Sequence, residues 1–184
     1  MSPTSPSAPA RAGLAAALLV PAAFLGGCSL IGGDGCHGTG GDLKRLAAEP
    51  VLGTAPARAA EPANYRGTGV TTGCDDDSSG APWLHADRLY AFPGGPGDVV
   101  AHYTRAAAAA GWRPERDPSA VAAPASVEGA CWTRTEHGRH LLLTVDFRTG
   151  YISPAPEVGS GIAFEVSVGS EADGSGGGEA TCWH

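Results

Sequence analysis

Basic residues are scarce in this 184-residue chain, and their scarcity limits what the protein binds. Twelve lysines and arginines face nineteen aspartates and glutamates, which gives a formal net charge of −7 at pH 7. Nucleic acids and anionic lipid surfaces select proteins with an excess of positive charge. We therefore expect no nucleic-acid partner. Lysine occurs once, at Lys44, beside 28 glycines and 15 prolines, a bias that is typical of a GC-rich genome.

Short motifs with a known chemistry are also missing. The chain contains no Gly-x-Ser-x-Gly elbow, Ser-x-x-Lys, P-loop or dinucleotide fingerprint. It contains no Cys-x-x-Cys pair either, which excludes the usual redox motif and the zinc knuckle. Catalytic triads are recognised by geometry, so a site assembled from dispersed residues remains open. The sequence itself predicts no catalytic residue and no cofactor.

One acidic run is similar to part of a calcium-binding loop. Counted from Asp75 as an EF-hand, the run places Asp77 at position 3 and Gly80 at the turn position 6. Position 12 is Ala86 instead of the bidentate glutamate that completes such a site. Charge runs of this kind are usual in solvated turns. We interpret the run as an acidic turn between two strands.

The six histidines are the other possible metal ligands. His137 and His140 flank a predicted turn, and no acidic residue stands at a metalloprotease spacing such as His-Glu-x-x-His. His37 and His184 each lie within two residues of a cysteine, so a disulfide between those cysteines would bring both imidazoles together. Two ligands do not complete a zinc site. The sequence therefore predicts no metal.

The apolar run that follows Arg11 ends in Leu25-Gly26-Gly27-Cys28. A cationic start, an apolar middle and small residues before the cut form the layout of a secretory signal. These residues resemble the lipobox of bacterial lipoproteins, where a peptidase cuts before the cysteine and its sulfur carries a diacylglycerol. The resemblance implies lipidation at Cys28, with fatty acids such as palmitate. The lipid bilayer is then a partner through acylated Cys28, because two or more chains anchor a protein stably.

An uncleaved membrane helix over residues 12–31 is the alternative, because about twenty apolar residues can span a bilayer. Pro21 and the glycine pair before Cys28 weaken a helix there. Under either interpretation the cationic amino terminus favours a cytoplasmic start, so the chain after Cys28 faces outward. We therefore expect the protein on the outer face of the cytoplasmic membrane.

The cysteine count agrees with lipidation at Cys28, because removing one of five cysteines leaves an even set. Disulfides persist outside the cytoplasm. Four cysteines allow three pairings. We expect Cys74 to pair with Cys131 across the sheet, and Cys36 to pair with Cys182 so that the chain ends are clamped together. The other two pairings stay open.

Composition divides the chain into four parts. Residues 1–27 are the signal peptide, and residues 28–41 are a flexible, glycine-rich tether. Residues 42–169 have the length of one domain. Residues 170–184 are rich in Gly and Ser, and we expect Cys182 to pin this tail in place.

Two helices are predicted in the domain. Asp42 caps a short helix that Pro50 stops. A longer helix spans residues 96–110, with Pro96 at its first position and Gly111 as the left-handed residue that ends it. Its small alanines suggest close packing on a sheet, and a membrane or partner helix is the alternative. The predicted buried stripe is Val99, Tyr103, Ala106 and Ala110.

Clean alternation of apolar residues predicts strands at 139–148 and 162–168, and further strands are expected at 65–72, 83–92 and 131–136. His137-Gly138 reads as a tight hairpin turn. If the loop has two residues, Trp132 and Arg134 share the leucine face of the next strand and Cys131 lies opposite; a three-residue loop reverses this. The predicted fold class is α+β, a mostly antiparallel sheet with one main helix packed on one face and disulfides as staples.

Several segments together are similar to lipoproteins of Streptomyces-like actinobacteria. They are the lipobox, Leu46-Ala47-Ala48-Glu49-Pro50, Thr72-Gly73-Cys74-Asp75-Asp76-Asp77 with Trp83 after it, Val99-Val100-Ala101-His102-Tyr103 leading to Gly111-Trp112, and Cys182-Trp183. The resemblance covers most of the chain after Cys28. Those proteins carry no assigned activity, so the resemblance implies no catalytic residue.

The sequence thus predicts a membrane-anchored extracytoplasmic lipoprotein with a non-enzymatic binding or interaction domain. Its partner would be an extracellular protein, a cell-wall component or a small-molecule ligand. The alternative is a small cell-envelope enzyme with a site assembled from dispersed residues. A cleft that holds carboxylates or histidines of shifted pKa would favour the enzyme. An exposed apolar patch with a polar rim would favour the binding domain.

Overall fold

The chain divides into two units, Met1–Ile31 and Gly32–His184. The computed structural model describes only residues of the second unit, so the predicted signal peptide and Cys28 lie outside the described residues, as do Asp77, Cys182 and His184. The described residues are 34–76, 80–115, 129–147 and 161–173. None of the helices within these ranges is long and apolar enough to span a membrane.

One six-stranded sheet forms the centre of the fold, and every strand pairing in it is antiparallel. The strand order is β1-β2-β6-β5-β4-β3. The predicted α+β class with an antiparallel sheet is confirmed. The elements are α1 (Gly40–Ala47), α2 (Pro96–Ala109), β1 (Thr71–Asp75), β2 (Trp83–Phe92), β3 (Arg113–Pro114), β4 (Ala130–Glu136), β5 (Arg139–Asp146) and β6 (Ile162–Glu171).

The hydrophobic core lies on the face of the sheet that α1 and α2 cover. Alternation along each strand supplies it, because successive side chains point to opposite faces. Tyr90 and Tyr103 fix the chain after α1 to this core, since their hydroxyls donate to the carbonyls of Leu52 at 2.8 Å and Thr54 at 2.5 Å. The largest fully buried side chains include Trp132, Tyr103, Phe164, Leu52, Leu84 and Leu143.

The β4–β5 hairpin has the predicted two-residue turn. Glu136 pairs with Arg139, and both turn residues have positive φ, 50° at His137 and 80° at Gly138. Positive φ at both central positions defines the type I′ turn that suits the twist of a hairpin. Trp132 consequently shares the leucine face and is buried in the core.

The first strand begins later than predicted. Extended structure was expected at 65–72, but Ala63–Tyr65 forms a 3-10 turn and β1 starts at Thr71. Gly67 and Gly69 have φ values of 83° and 66°, which turn the backbone out of the extended region. The strand can therefore form only after them.

Helix α2 ends as predicted, but its buried stripe differs. Gly111 has φ of 79°, and the Trp112 amide donates to the Ala107 carbonyl at 3.0 Å, which together form a Schellman cap. Ala106 is half-buried and Ala110 is exposed, because Ala110 is already the C-cap residue where the chain leaves the helix. The buried residues are Val99, Val100, Tyr103 and Ala107.

Regular structure begins inside the predicted tether. Asp34–Cys36 forms a 3-10 turn and α1 starts at Gly40, two residues before Asp42. Thr39 is buried and its hydroxyl donates to the Cys36 carbonyl at 2.9 Å. At the other end, β6 continues to Glu171, beyond the predicted boundary at 169.

The predicted disulfide pairing is wrong. Cys36 is bonded to Cys74, with their Cα atoms 6.0 Å apart. Cys131 is also disulfide-bonded, and its partner lies outside the described residues. The sheet order explains the error: Cys74 lies on β1 and Cys131 on β4, four strand spacings away. At about 4.8 Å per spacing this is roughly 19 Å, far beyond the Cα separation of about 7 Å that a disulfide permits.

Candidate functional site

A cleft of about 550 Å³ opens between α1 and the β4–β5 hairpin. Its apolar floor includes Leu46 from α1 and Leu141 from β5, each 4% exposed. Charged side chains from both elements surround this floor. The full lining is Asp42, Arg45, Leu46, Ala48, Glu49, Glu136, His137, Arg139, Leu141 and Ser170.

At the start of α1, two arginines share the carboxylate of Asp42. We call Asp42, Arg45 and Arg139 the basic end of the cleft. Arg45 pairs with Asp42 on the helix, and Arg139 Nη2 lies 3.3 Å from Asp42 Oδ2. Arg139 also donates from Nη1 to the hydroxyl of the buried Ser170 at 3.3 Å and to the Glu171 carbonyl at 3.0 Å. The basic end thus carries two positive groups against one negative group.

Near the other end of α1, one arginine is shared by two carboxylates. We call Glu49, Arg134 and Glu136 the acidic end of the cleft. Arg134 Nη2 donates to Glu49 at 2.5 Å and to Glu136 at 2.8 Å. The guanidinium stacks on the ring of Trp112 at 4.4 Å, which fixes its plane. Two carboxylates therefore share one cation.

Local structure places both ends on the same side of the sheet. The two-residue turn puts Arg134 and Glu136 on the face that carries Leu141, and it places Arg139 there too. Asp42 lies in the first turn of α1, and Glu49 lies two residues past its last helical residue. The two ends adjoin on the hairpin side, because Glu136 and Arg139 are direct cross-strand partners.

A second polar cluster lies on the sheet face opposite α1 and α2. His85 Nδ1 lies 2.5 Å from Asp87 Oδ2, and His85 Nε2 lies 3.5 Å from Asp75 Oδ2. The Ser167 hydroxyl donates to the other Asp87 oxygen at 2.6 Å. The hydrogen bond to Asp87 raises the pKa of His85, and the charges of Asp87, Asp75 and Glu165 add to this effect against partial burial.

The order of these groups differs from that of a nucleophilic triad. In a triad the serine bonds to the histidine, which removes the serine proton. Here Ser167 bonds to Asp87, so His85 does not accept the hydroxyl proton. The cluster places the His85 imidazole between the carboxylates of Asp87 and Asp75. No group of three or more potential metal ligands occurs within the described ranges.

The structure separates most of the residues that the sequence singled out. Cys36 and Cys74 meet in the disulfide, while Cys131 lies on β4. His137 lies at the rim of the cleft and is 92% exposed, whereas His140 belongs to the opposite face of β5. The two imidazoles therefore do not converge.

Sequence analysis did not find either polar site. For the second cluster a signal was present, since His85-Ala86-Asp87 within a predicted strand places histidine and aspartate on one face. For the cleft the signal was Arg134, a charged residue predicted on an apolar face, which requires a partner when it is buried. Its partner Glu49 lies 85 positions away along the chain.

No family model, no curated protein and no solved structure matches this chain. The cleft and the His85 cluster are therefore the observations that bear on function.

Proposed function

We propose that the protein is an extracytoplasmic lipoprotein, anchored on the outer face of the cytoplasmic membrane through acylated Cys28, whose domain binds a ligand in the cleft between α1 and the β4–β5 hairpin. The lipobox resemblance supports the anchor. Cys36 and Cys74 are joined, and Cys131 has another partner. If that partner is Cys182, the sulfur of Cys28 is left for the lipid.

The cleft is the observation that carries the binding role. Its volume of about 550 Å³ lies within the 300–1,000 Å³ range that is typical of small-molecule sites. A helix and two paired strands hold most of its charged groups, and such placement keeps a site in a defined geometry. Each guanidinium is further fixed by an ion pair.

Photo-crosslinking in the native membrane tests this role. The full chain would carry a photoreactive amino acid in place of His137, at the exposed rim of the cleft. The matched control would carry it in place of Arg105, an exposed residue of α2 that does not line the cleft. We expect an adduct of discrete mass from position 137 that position 105 does not give. Equal adducts at both positions, or none at position 137, would contradict the proposal.

A further inference from the structure

We infer that the cleft takes a neutral, hydroxyl-rich ligand, a carbohydrate, rather than an ion. This inference rests on the proposed function and names the ligand class for the same cleft. Three features support it: the balanced charge of the cleft, the polar groups that stay open to solvent, and the apolar floor beneath them.

The charged network of the cleft has no net charge. Three arginines and three carboxylates make up the network, and Glu136 and Arg139 join its two ends as direct cross-strand partners. The members are Asp42, Glu49, Glu136, Arg45, Arg134 and Arg139. Their formal charges cancel, whereas the whole chain carries −7. A charged ligand would lose hydration here without gaining an unpaired partner of opposite charge.

Two members of the network face solvent. Arg45 and Glu136 are 74% and 47% exposed, while the other four side chains are only 13–22% exposed and fix the network in place. Arg45 donates from Nη2 to Asp42, and its other N–H groups have no acceptor among the described residues. Glu136 accepts at Oε2, and its Oε1 lies 3.9 Å from the exposed His137. The cleft therefore offers a ligand one donor from α1 and one acceptor from the hairpin.

Hydroxyl groups suit this pair of side chains. A hydroxyl carries one O–H donor and two acceptor lone pairs, so hydroxyls accept from Arg45 and donate to Glu136 without breaking an ion pair. A peptide is recognised differently, because an extended chain binds through the unpaired edge of a strand. The strand in the floor is β5, which pairs with β4 on one side and β6 on the other. The cleft thus favours hydroxyls over a peptide backbone.

The apolar floor matches the face of a sugar ring. Leu46 and Leu141 form this floor, and Ala48 is the other apolar residue of the lining. A sugar ring has C–H groups on its faces and hydroxyls around its edge. Removing the C–H surface from water against the floor is favourable. In this pose the hydroxyls at the ring edge meet Arg45 and Glu136.

Calorimetric titration of the full chain tests the inference, in a detergent that has no sugar headgroup. The neutral probes are triacetylchitotriose and maltotriose. The charged probes are chitotriose, at a pH below the pKa of its amines, and trigalacturonate. We expect at least one neutral sugar to bind, and both charged sugars to bind at least about tenfold more weakly than it does. No binding of either neutral sugar, or equal or tighter binding of a charged one, would overturn the inference.

Charge-changing variants at the two exposed residues test the site. Glu136→Gln leaves an excess positive charge in the network, and Arg45→Gln leaves an excess negative charge. We expect each variant to weaken the neutral sugar about fivefold, because a charge-assisted hydrogen bond becomes a neutral one. Glu136→Gln should at the same time tighten trigalacturonate, and Arg45→Gln should tighten chitotriose. Arg105→Gln on α2, which does not line the cleft, is the control and should leave every affinity unchanged.

The outcomes separate the ligand class from the proposed function. If no neutral sugar binds but position 137 still gives its adduct, the cleft binds a ligand of another class and this inference is wrong. If no neutral sugar binds and no adduct forms, both are wrong. If a neutral sugar binds but the cleft variants behave like the Arg105 control, the sugar lies elsewhere and the inference is wrong.

Discussion

The carboxylates around His85 change the pKa of its imidazole. It lies between Asp87 on its own strand and Asp75 on β1, and the Asp87 hydrogen bond raises its pKa above the ordinary value near 6.5. Because the pKa is raised on folding, the imidazolium stabilises the folded state. This contribution is complete below the unfolded pKa and is lost as the pH rises through the folded pKa.

An NMR titration of the histidine ring protons measures this effect. We expect His85 to titrate above 6.5, and Asp87→Asn to lower its pKa, because the substitution removes the carboxylate that favours the charged form. Asp98→Asn on α2 is the control, since Asp98 lies in the first turn of α2 and does not contact His85. A wild-type pKa at or below 6.5 would contradict the geometry around Asp87.

The sequence alone predicts that two of the four residues in the His85 cluster lie together. His85 and Asp87 share a face because strand side chains alternate, and that much follows from the chain. Asp75 and Ser167 join them only through the registers of β1 and β6 against β2. Register between strands distant in sequence depends on the whole sheet, so it was not available in advance.

The carboxy-terminal end of α2 is the element boundary that the sequence predicts most clearly. Gly111 adopts φ of 79°, where a residue with a Cβ atom is strained, and a Cβ at Gly111 would meet no neighbouring atom within 4 Å. The cost of substitution is therefore backbone strain alone.

Chemical denaturation of Gly111→Ala tests this cap. We expect the free energy of unfolding to fall by about 1–2 kcal/mol, the penalty of the left-handed conformation. Gly97→Ala, in the first turn of the same helix, is the matched control: its φ is not positive and its Cβ would also meet open space. The control should be neutral or stabilise by up to about 1 kcal/mol. An equal loss in both variants would rule out the Schellman cap as the cause.

Elements whose boundaries are set by neighbouring residues in the sequence were predicted well. The hairpin turn, the strand at Trp83–Phe92 and both ends of α2 depend on residues close in sequence. The start of β1 was misplaced because Gly67 and Gly69 were not recognised as a turn. The buried stripe of α2 was rotated because the sheet beneath it, not the helix, decides which residues are covered.

The order of the strands in the sheet decides which distant residues can meet. The alternation of apolar and polar residues along each strand does not predict that order. With β6 placed between β2 and β5, Cys74 and Cys131 lie on distant strands, which is why the predicted pairing failed. The actual bridge closes a separation of 38 residues between the start of the domain and its edge strand. In the chain-entropy model such a loop contributes about 4 kcal/mol.

The cleft is also a product of the whole molecule. Glu49 and Arg134 are 85 positions apart, and they meet only because α1 packs beside the β4–β5 hairpin. The charged groups of the cleft are brought together only by the tertiary fold. The sequence could therefore predict the fold class without predicting the cleft.

Mass spectrometry of the protein from its native membrane, digested without reduction, tests the central claim most directly. Lipidation consumes the sulfur of Cys28, so the account predicts a first peptide that begins at Cys28 and carries a diacylglycerol. It also predicts Cys36 joined to Cys74, and Cys131 joined to Cys182 as its remaining partner. A peptide that joins Cys28 to Cys131, or an unmodified Cys28 within an uncut precursor, would contradict the lipid anchor.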